Sequence, residues 1–345
     1  MILNETPVRT SRNFLINNIK LDNLEIPSKL KEFNNVEIIC DNTKVEEVEN
    51  NFSLVYGIGK ELEENSNKLC NNSIKLNIDK KDDIRVIYKF DDENDNLINK
   101  LEINASKDCS ITIEYKSNTS KKCFHNGIIK VNCINNAKVK LVVVNLLNEK
   151  SLNFDSFENQ LSENTNLEYT IIDIGAEKSV SNYYSNIVGN EAKNDLKTVY
   201  LATNNQLKDI NYIAELRGKK TNIDIDVQGA IKEKSKKNFK GTIDFKRGCK
   251  KAIGNENEYC MILSDDSKSI ALPMLLCTEE DVEGNHSTAS GRVEESELFY
   301  IMTRGLEYKE AVKLIVKARF NEIIERIKEA DLREEILKEI DRRLD

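Results

Sequence analysis

The chain has no tryptophan, only 3 prolines and only 2 histidines in 345 residues. Nothing in it approaches the roughly 18–20 consecutive apolar residues of a membrane-spanning helix, so no membrane attachment is expected. The opening MILNETPVRTSRNFLINNIK lacks the apolar core of a cleavable secretory leader. A cytoplasmic, reducing setting is therefore expected, in which the 8 cysteines read as thiols and not as a disulfide framework. They stand at 40, 70, 109, 123, 133, 249, 260 and 277 without a single C-x-x-C, which argues against a dedicated structural zinc site. Most are expected to be small buried hydrophobes. Positive charge is short as well, with Lys and Arg at 51 against Asp and Glu at 59 and a net charge of −8. A nucleic-acid partner would call for the opposite balance.

What is present is patterned in three stretches. Residues 1–70 mix short apolar runs with Asn and Glu, and read as a small, partly helical N-terminal cap. SRNFLINNIK and VYGIGKELEEN are its candidate helices. From 71 to 292, short runs of alternating apolar and polar residues follow one another, among them SIKLNI, DIRVIYKF, CSITIEYK, NLEYTIIDIG and TNIDIDVQGAI. Val, Ile, Tyr and Thr at period two predict more than twelve strands, parted by Asn, Asp, Lys and Gly turns. No long helical pattern intervenes, which excludes a doubly wound α/β fold. Even strand spacing, and asparagines crowded where stacked coils can ladder them, favour a mainly β chain folded as a parallel β-helix.

The third stretch, 293–345, is helical. EESELFYIMTRG spaces Leu298, Ile301 and Met302 for a helix that Gly305 would stop. The next segment carries Ala311, Ile315, Ala318 and Ile323 among its apolar positions. DLREEILKEIDRRL has Asp331 as N-cap and a stripe of Leu332, Ile336, Ile340 and Leu344. These faces suit docking on the chain's own β-region, or binding a partner.

Chemistry concentrates in LLCTEEDVEGNHSTASGRV, 275–293, where Cys277, Glu279, Glu280, Asp281, Glu283 and His286 meet within ten residues. Read as a segment just before a helix, it fits three descriptions. A Cys–His nucleophilic site lacks a Gly-rich oxyanion turn. A thiolate, carboxylate and imidazole set suits iron or zinc, but the spacing gathers no complete single-chain site. An exposed acidic turn with an incidental histidine fits as well. The basic run Lys232–Lys251 suits sulfide, phosphate or an acidic partner, and a solvated solenoid edge explains it equally.

Residues 261–323 resemble the SufB/SufD family of iron–sulfur cluster assembly proteins. The likeness is carried by Asp265 and Asp266, Pro273, His286, Leu298-Phe299-Tyr300, Arg304-Gly305-Leu306 and Glu310-Ala311, with FKGTIDFKRG before them. The resemblance implies a right-handed parallel β-helix flanked by helical ends. It further implies a scaffold without turnover of its own, on which a transient iron–sulfur cluster forms at the interface with a second SufB/SufD-type subunit. The C-terminal helices would dock a SufC-like ABC-type ATPase, through Phe299, Tyr300, Arg304, Gly305 and Arg319. His286 matches the family's interface histidine. Cys277, Glu280, Asp281 and Glu283 resemble the working set of short members found with a single ATPase partner, and imply Cys277, His286 and Glu283 as iron ligands. Two departures stand out: Ser287 replaces a glutamate after the histidine, and Glu258 occupies the place of a SufB cysteine. Cys260, two residues on and on the same strand face, is a possible substitute. Two other readings are weighed against this one. A β-helix polysaccharide lyase or hydrolase would want Trp platforms and a secretion signal. A purely structural solenoid would stack end to end, which helical ends should cap.

Overall fold

The computed structural model describes residues 1–10, 16–22, 24–48 and 51–345. Strands β1 (Ile2–Leu3) and β2 (Ile19–Lys20) pair antiparallel. They are followed by β3 (Val36–Ile39), β4 (Lys44–Glu46) and helix α1 (Lys60–Leu69). Sixteen further strands run from 72 to 291. The first eight are β5 (Asn72–Ile78), β6 (Asp82–Phe90), β7 (Asn96–Ala105), β8 (Cys109–Ser117), β9 (Phe124–Cys133), β10 (Lys138–Leu146), β11 (Leu152–Leu161) and β12 (Asn166–Asp173). The rest are β13 (Lys178–Ile187), β14 (Lys193–Ala202), β15 (Leu207–Leu216), β16 (Asn222–Ile231), β17 (Lys236–Phe245), β18 (Ala252–Ile262), β19 (Lys268–Cys277) and β20 (Val282–Gly291). Helices α2 (Glu295–Thr303), α3 (Tyr308–Ile324) and α4 (Ala330–Leu344) close the chain.

From β6 onward, even-numbered strands form one nine-stranded sheet, ending in β3. Odd-numbered strands from β5 form the other, ending in β4. The chain crosses from sheet to sheet and advances one strand each time, giving a parallel β-solenoid of about 8 turns. Only β3 on β6 and β4 on β5 run antiparallel within these two sheets. The register superposes like on like. Leu141 lies between Ile111 and Tyr169, and Val143 between Ile113 and Ile171, all buried in the interior. Asparagines serve the turns in two ways. Asn135, Asn136, Asn164 and Asn204 take positive φ, which Asn tolerates better than most residues. A ladder also forms, with Asn132 Nδ2 donating to Asn104 Oδ1 at 2.8 Å and Asn104 Nδ2 to Asn77 Oδ1 at 3.1 Å.

Both outer faces are covered. On the odd sheet, Ile98, Phe124, Leu152, Phe154 and Val180 pack against Leu3, Ile19, Leu21, Ile58 and Leu62. On the even sheet, Val142, Ile172, Val199, Leu201 and Met261 pack against Ile315, Phe320 and Ile323 of α3 and Leu332, Ile336, Ile340 and Leu344 of α4.

Several expectations need correction. The C-terminal helices lie along the flank of the even sheet and leave the last strands, β19 and β20, as outermost members of their sheets. They do not cap that end. Asp331 is inside α4, which starts at Ala330 with Glu329 as N-cap; its carboxylate accepts from Arg85 Nη2 at 2.9 Å. Ala318 is exposed, and Val316 and Phe320 fill the buried face instead. Three strands, β11, β13 and β20, have no apolar alternation to announce them. Of the two N-terminal helix candidates, VYGIGKELEEN contributes the start of α1. Residues 11–15 of SRNFLINNIK lie outside the described residues, and its last two form β2.

The solenoid interior also holds polar groups. His125 Nδ1 lies 2.6 Å from Asn153 Oδ1 and Nε2 lies 2.9 Å from Asn99 Oδ1, while Asn153 Nδ2 donates to Asp155 Oδ2 at 2.6 Å. Burial pushes His125 down to about 4 and Asp155 up to about 7. The folded chain thus keeps a proton on Asp155 that the unfolded chain releases near 3.8. Stability from this carboxyl is full below about pH 4, falls as pH rises towards 7 and is level above. Asp155→Asn should remove that loss. In thermal melts the variant should gain on the native protein across this window, by on the order of a few kcal/mol at pH 8. A difference that does not change with pH would refute the assignment. The His125 contribution, lost as pH falls from 6.5 to about 4, is common to both proteins.

Candidate functional site

The site is built at the open end of the solenoid. Along β17 the odd-numbered side chains face inward, with Phe239, Ile243 and Phe245 in the core. The register places Ser269, Ala271, Pro273, Leu275 and Cys277 of β19 over Lys237, Phe239, Gly241, Ile243 and Phe245. In the other sheet, Val282, Gly284, His286, Thr288 and Ser290 of β20 stand over Ala252, Gly254, Glu256, Glu258 and Cys260. A side chain at Gly284 would start 3.0 Å from Phe245 and 3.4 Å from Leu275, so this row of β20 does face inward. Ser269 Oγ and Ser290 Oγ meet at 2.8 Å across the end. Pro273, which has no N–H for a ladder, is tolerated because β19 is an edge strand.

His286 is therefore a strand residue, not part of an acidic turn before a helix. Both it and Cys277 are exposed, because the rows that are interior elsewhere have no further coil above them. They belong to opposite sheets. The Cys277 thiol donates to the Glu279 carbonyl at 2.9 Å. The acidic residues are divided by the same geometry. Glu283, three residues from His286, is on the outward face of β20 with Asn285 and Ser287. Glu280 and Asp281 lie exposed in the β19–β20 turn, where the Asp281 carbonyl accepts from the Lys251 N–H at 2.6 Å. The Glu279 carboxylate is held below its ordinary range by backbone N–H groups, foremost that of Gly248 at 2.8 Å. Among the described residues, no three His, Cys, Asp or Glu side chains converge as a metal site. One copy of the end offers a thiol and an imidazole, donors suited to iron, and no closed ligand set.

Directly beneath, β18 turns Glu256, Glu258 and Cys260 into the interior, all fully buried. Glu258 Oε1 accepts from Tyr200 OH at 2.8 Å and faces Lys237 Nζ at 2.8 Å. Burial, and then Glu258, push the Glu256 carboxyl up to about 8. Glu256 escaped the sequence reading. The signal was there in AIGNENEYC, where two acids fall in the same alternating row as Ala252, Gly254 and Cys260. The basic run divides likewise. Lys237 and Lys240 are buried on opposite faces of β17, the second ion-paired with Asp209 at 2.6 Å.

A second exposed surface lies on the flank. Phe299 is 70% and Tyr300 60% exposed, and Met302, Leu306, Tyr308 and Leu314 extend the apolar patch. Such a surface marks a contact site more often than an ordinary solvent face. Arg304 packs 5.3 Å from the Tyr300 ring, and Gly305, at φ 96°, ends α2 with its N–H on the Met302 carbonyl. Arg319 is anchored 4.8 Å over the Tyr259 ring of β18.

The model of the SUF system FeS cluster assembly, SufBD core domain matches residues 88–319. The iron-sulfur cluster assembly protein SufD of Bacillus subtilis is 25% identical over 166 residues, 48% of this chain and 38% of that protein. SufBD family proteins of Staphylococcus epidermidis and Staphylococcus saprophyticus are each 22% identical over 197 residues, 57% of this chain and 42% of theirs. The chain thus covers well under half the length of these relatives.

Of the eight thiols, Cys277 alone is exposed; Cys40 and Cys70 are half-buried. In the native protein a disulfide reagent such as DTNB should give a fast phase of about one thiol per chain, absent in Cys277→Ser. Equal fast phases in both proteins would show that another cysteine is the accessible one.

Proposed function

The chain belongs to the SufBD family of iron–sulfur cluster assembly proteins, and from that premise we propose that it is a scaffold that builds a transient cluster between its open end and that of a second SufB/SufD-type subunit. The observation that carries this reading is the pair Cys277 and His286 on the inward rows of two edge strands with nothing stacked on them. Free strand edges are templates for pairing with another chain. A two-fold copy seated there would bring a second thiol and a second imidazole to the same place. Glu280 and Asp281 on the rim, with Glu283 on the outer face of β20 beside them, give this end a negative field that favours iron ions, and Cys260 is a further thiol one strand inside. The iron and sulfide are cargo in this reading, and the chain catalyses no turnover. A SufC-like ABC-type ATPase docks on the α2–α3 surface through Phe299, Tyr300, Arg304 and the Gly305 turn, with Arg319 behind them. The protein works in the cytoplasm.

Two experiments test this. Supplied anaerobically with iron, sulfide and reductant, the native chain should develop charge-transfer absorption in the visible. Cys277→Ser combined with His286→Ala should lose it while circular dichroism stays unchanged, since both side chains are exposed. Unchanged cluster content in the double variant would sink the site. In the second experiment, co-purification with the ATPase followed by light scattering should give two copies of this chain per complex. Phe299→Glu with Tyr300→Glu should release the ATPase without loss of solubility; retained binding would place the docking surface elsewhere.

A further inference from the structure

We propose that the recess beside Lys100 binds a small carboxylate whose other end donates hydrogen bonds, as in an α-amino acid. It lies on the outer face of the odd sheet, near the N-terminal end of the solenoid. Five lysines are buried among the described residues, and four of them hold a carboxylate. Lys208 faces Asp173 at 2.7 Å, Lys237 faces Glu258 at 2.8 Å, Lys240 faces Asp209 at 2.6 Å, and Lys313 pairs with Asp345. Lys100 is the exception. It is 5% exposed, and its ammonium has no hydrogen bond and no ion pair among the described residues. Its Nζ stands 5.5 Å from the Phe52 ring, which offers a cation–π contact but no lone pair. Burial holds its pKa below the ordinary value, and the one charge acting against that is the Cys70 thiol. A buried charge without a partner is costly, so a counter-charge supplied from outside would be bound with gain.

That counter-charge has room. Lys100 lines a recess of about 650 Å³, with Cys70 and Ser73 beside it and Glu32, Glu47 and Lys68 among the other walls. This is the size of a pocket for a small molecule. Ser73 pairs in register with Lys100 on the neighbouring strand, and its hydroxyl makes no hydrogen bond among the described residues. It can therefore donate to the same anion. On the far side of Lys100 the row continues with Ile128, buried and apolar. The rest of the recess has the opposite character. Glu32 and Glu47 are exposed carboxylates, and α1 ends at Leu69 with Cys70 as C-cap, so the negative end of its dipole adjoins the recess. These groups repel a phosphate dianion, whereas a single carboxylate is compensated by Lys100 alone. An ammonium at the ligand's other end meets acceptors in the two carboxylates and the helix-end carbonyls. Lys68 hardly alters this balance, since its exposed ammonium pairs with Glu64 at 3.4 Å.

Lys100→Met keeps the length and the apolar stem of the side chain and removes its charge. Without ligand, this variant of the full-length chain should melt at a higher temperature than the native protein, because an unpaired buried charge is gone. A lysine that serves the fold through Phe52 would give the opposite sign, and a lowered melting temperature overturns the proposal. Glycine, acetate and inorganic phosphate are the probes, each added to thermal melts at constant ionic strength. Glycine should stabilise the native chain along a saturating curve, acetate less and phosphate least. Lys100→Met should bind glycine about tenfold more weakly, or worse, through loss of a charge-assisted hydrogen bond. Ser73→Ala should weaken glycine binding to a smaller extent. An equal, unsaturating rise in native chain and Lys100→Met is exclusion of solute from the surface and overturns the site. Phosphate binding as tight as that of glycine overturns the class of ligand. Neither result bears on the scaffold reading, which uses Cys277 and His286 at the other end of the solenoid.

Discussion

Parallel in-register stacking is the constraint on which everything else in this protein depends. Each residue sits over its counterpart one turn earlier, so every side chain inherits its surroundings from the coil below. An apolar row stays apolar over several turns, as from Ile111 through Leu141 to Tyr169. A polar row must find partners along the same line, as His125 and Asn153 do. Where stacking stops, the rule is broken by necessity. The inward rows of β19 and β20 keep interior positions while losing the cover that made them interior, and a thiol and an imidazole are left at the surface.

The same rule decides how much could be read from the sequence. Strands whose inner row is apolar and outer row polar, such as β5 and β16, show the period of two plainly. β13, KSVSNYYSNI, does not, because the N-terminal segment covers its outer face with polar contacts and makes both faces buried. Asn4, wholly buried, donates to Asp209 Oδ1 at 2.7 Å and accepts from Asn182 at 3.0 Å. β20, VEGNHSTASG, is polar on both faces for the opposite reason, since neither is covered. Only pairing with β18 makes it a strand, and no local pattern records that partner.

For the candidate site, the types of residue were legible and their arrangement was not. Cys277 and His286 stand out by rarity and by their place in the family-like segment. That Glu283 points away from His286 follows only once 282–291 is known to be extended, since residues three apart on a strand face opposite ways. The clustered acids therefore separate into a rim set and an outward set. The acid closest below the histidine, Glu256, is thirty residues earlier in the chain. Long sequence separation with direct stacking is the normal condition in a solenoid, and it hides such neighbours from any reading along the chain.

The two ends of the solenoid are unlike, and the difference sets a limit on assembly. At the N-terminal end the short strands β3 and β4 reverse direction against the sheets they close, so no parallel coil can continue from there. The C-terminal end keeps the direction and the rows of the interior. A unit with one adhesive end and one blunt end associates face to face once and is then used up. Growth into a fibre by continued parallel stacking needs two ends that keep the strand direction, and this fold keeps it at only one.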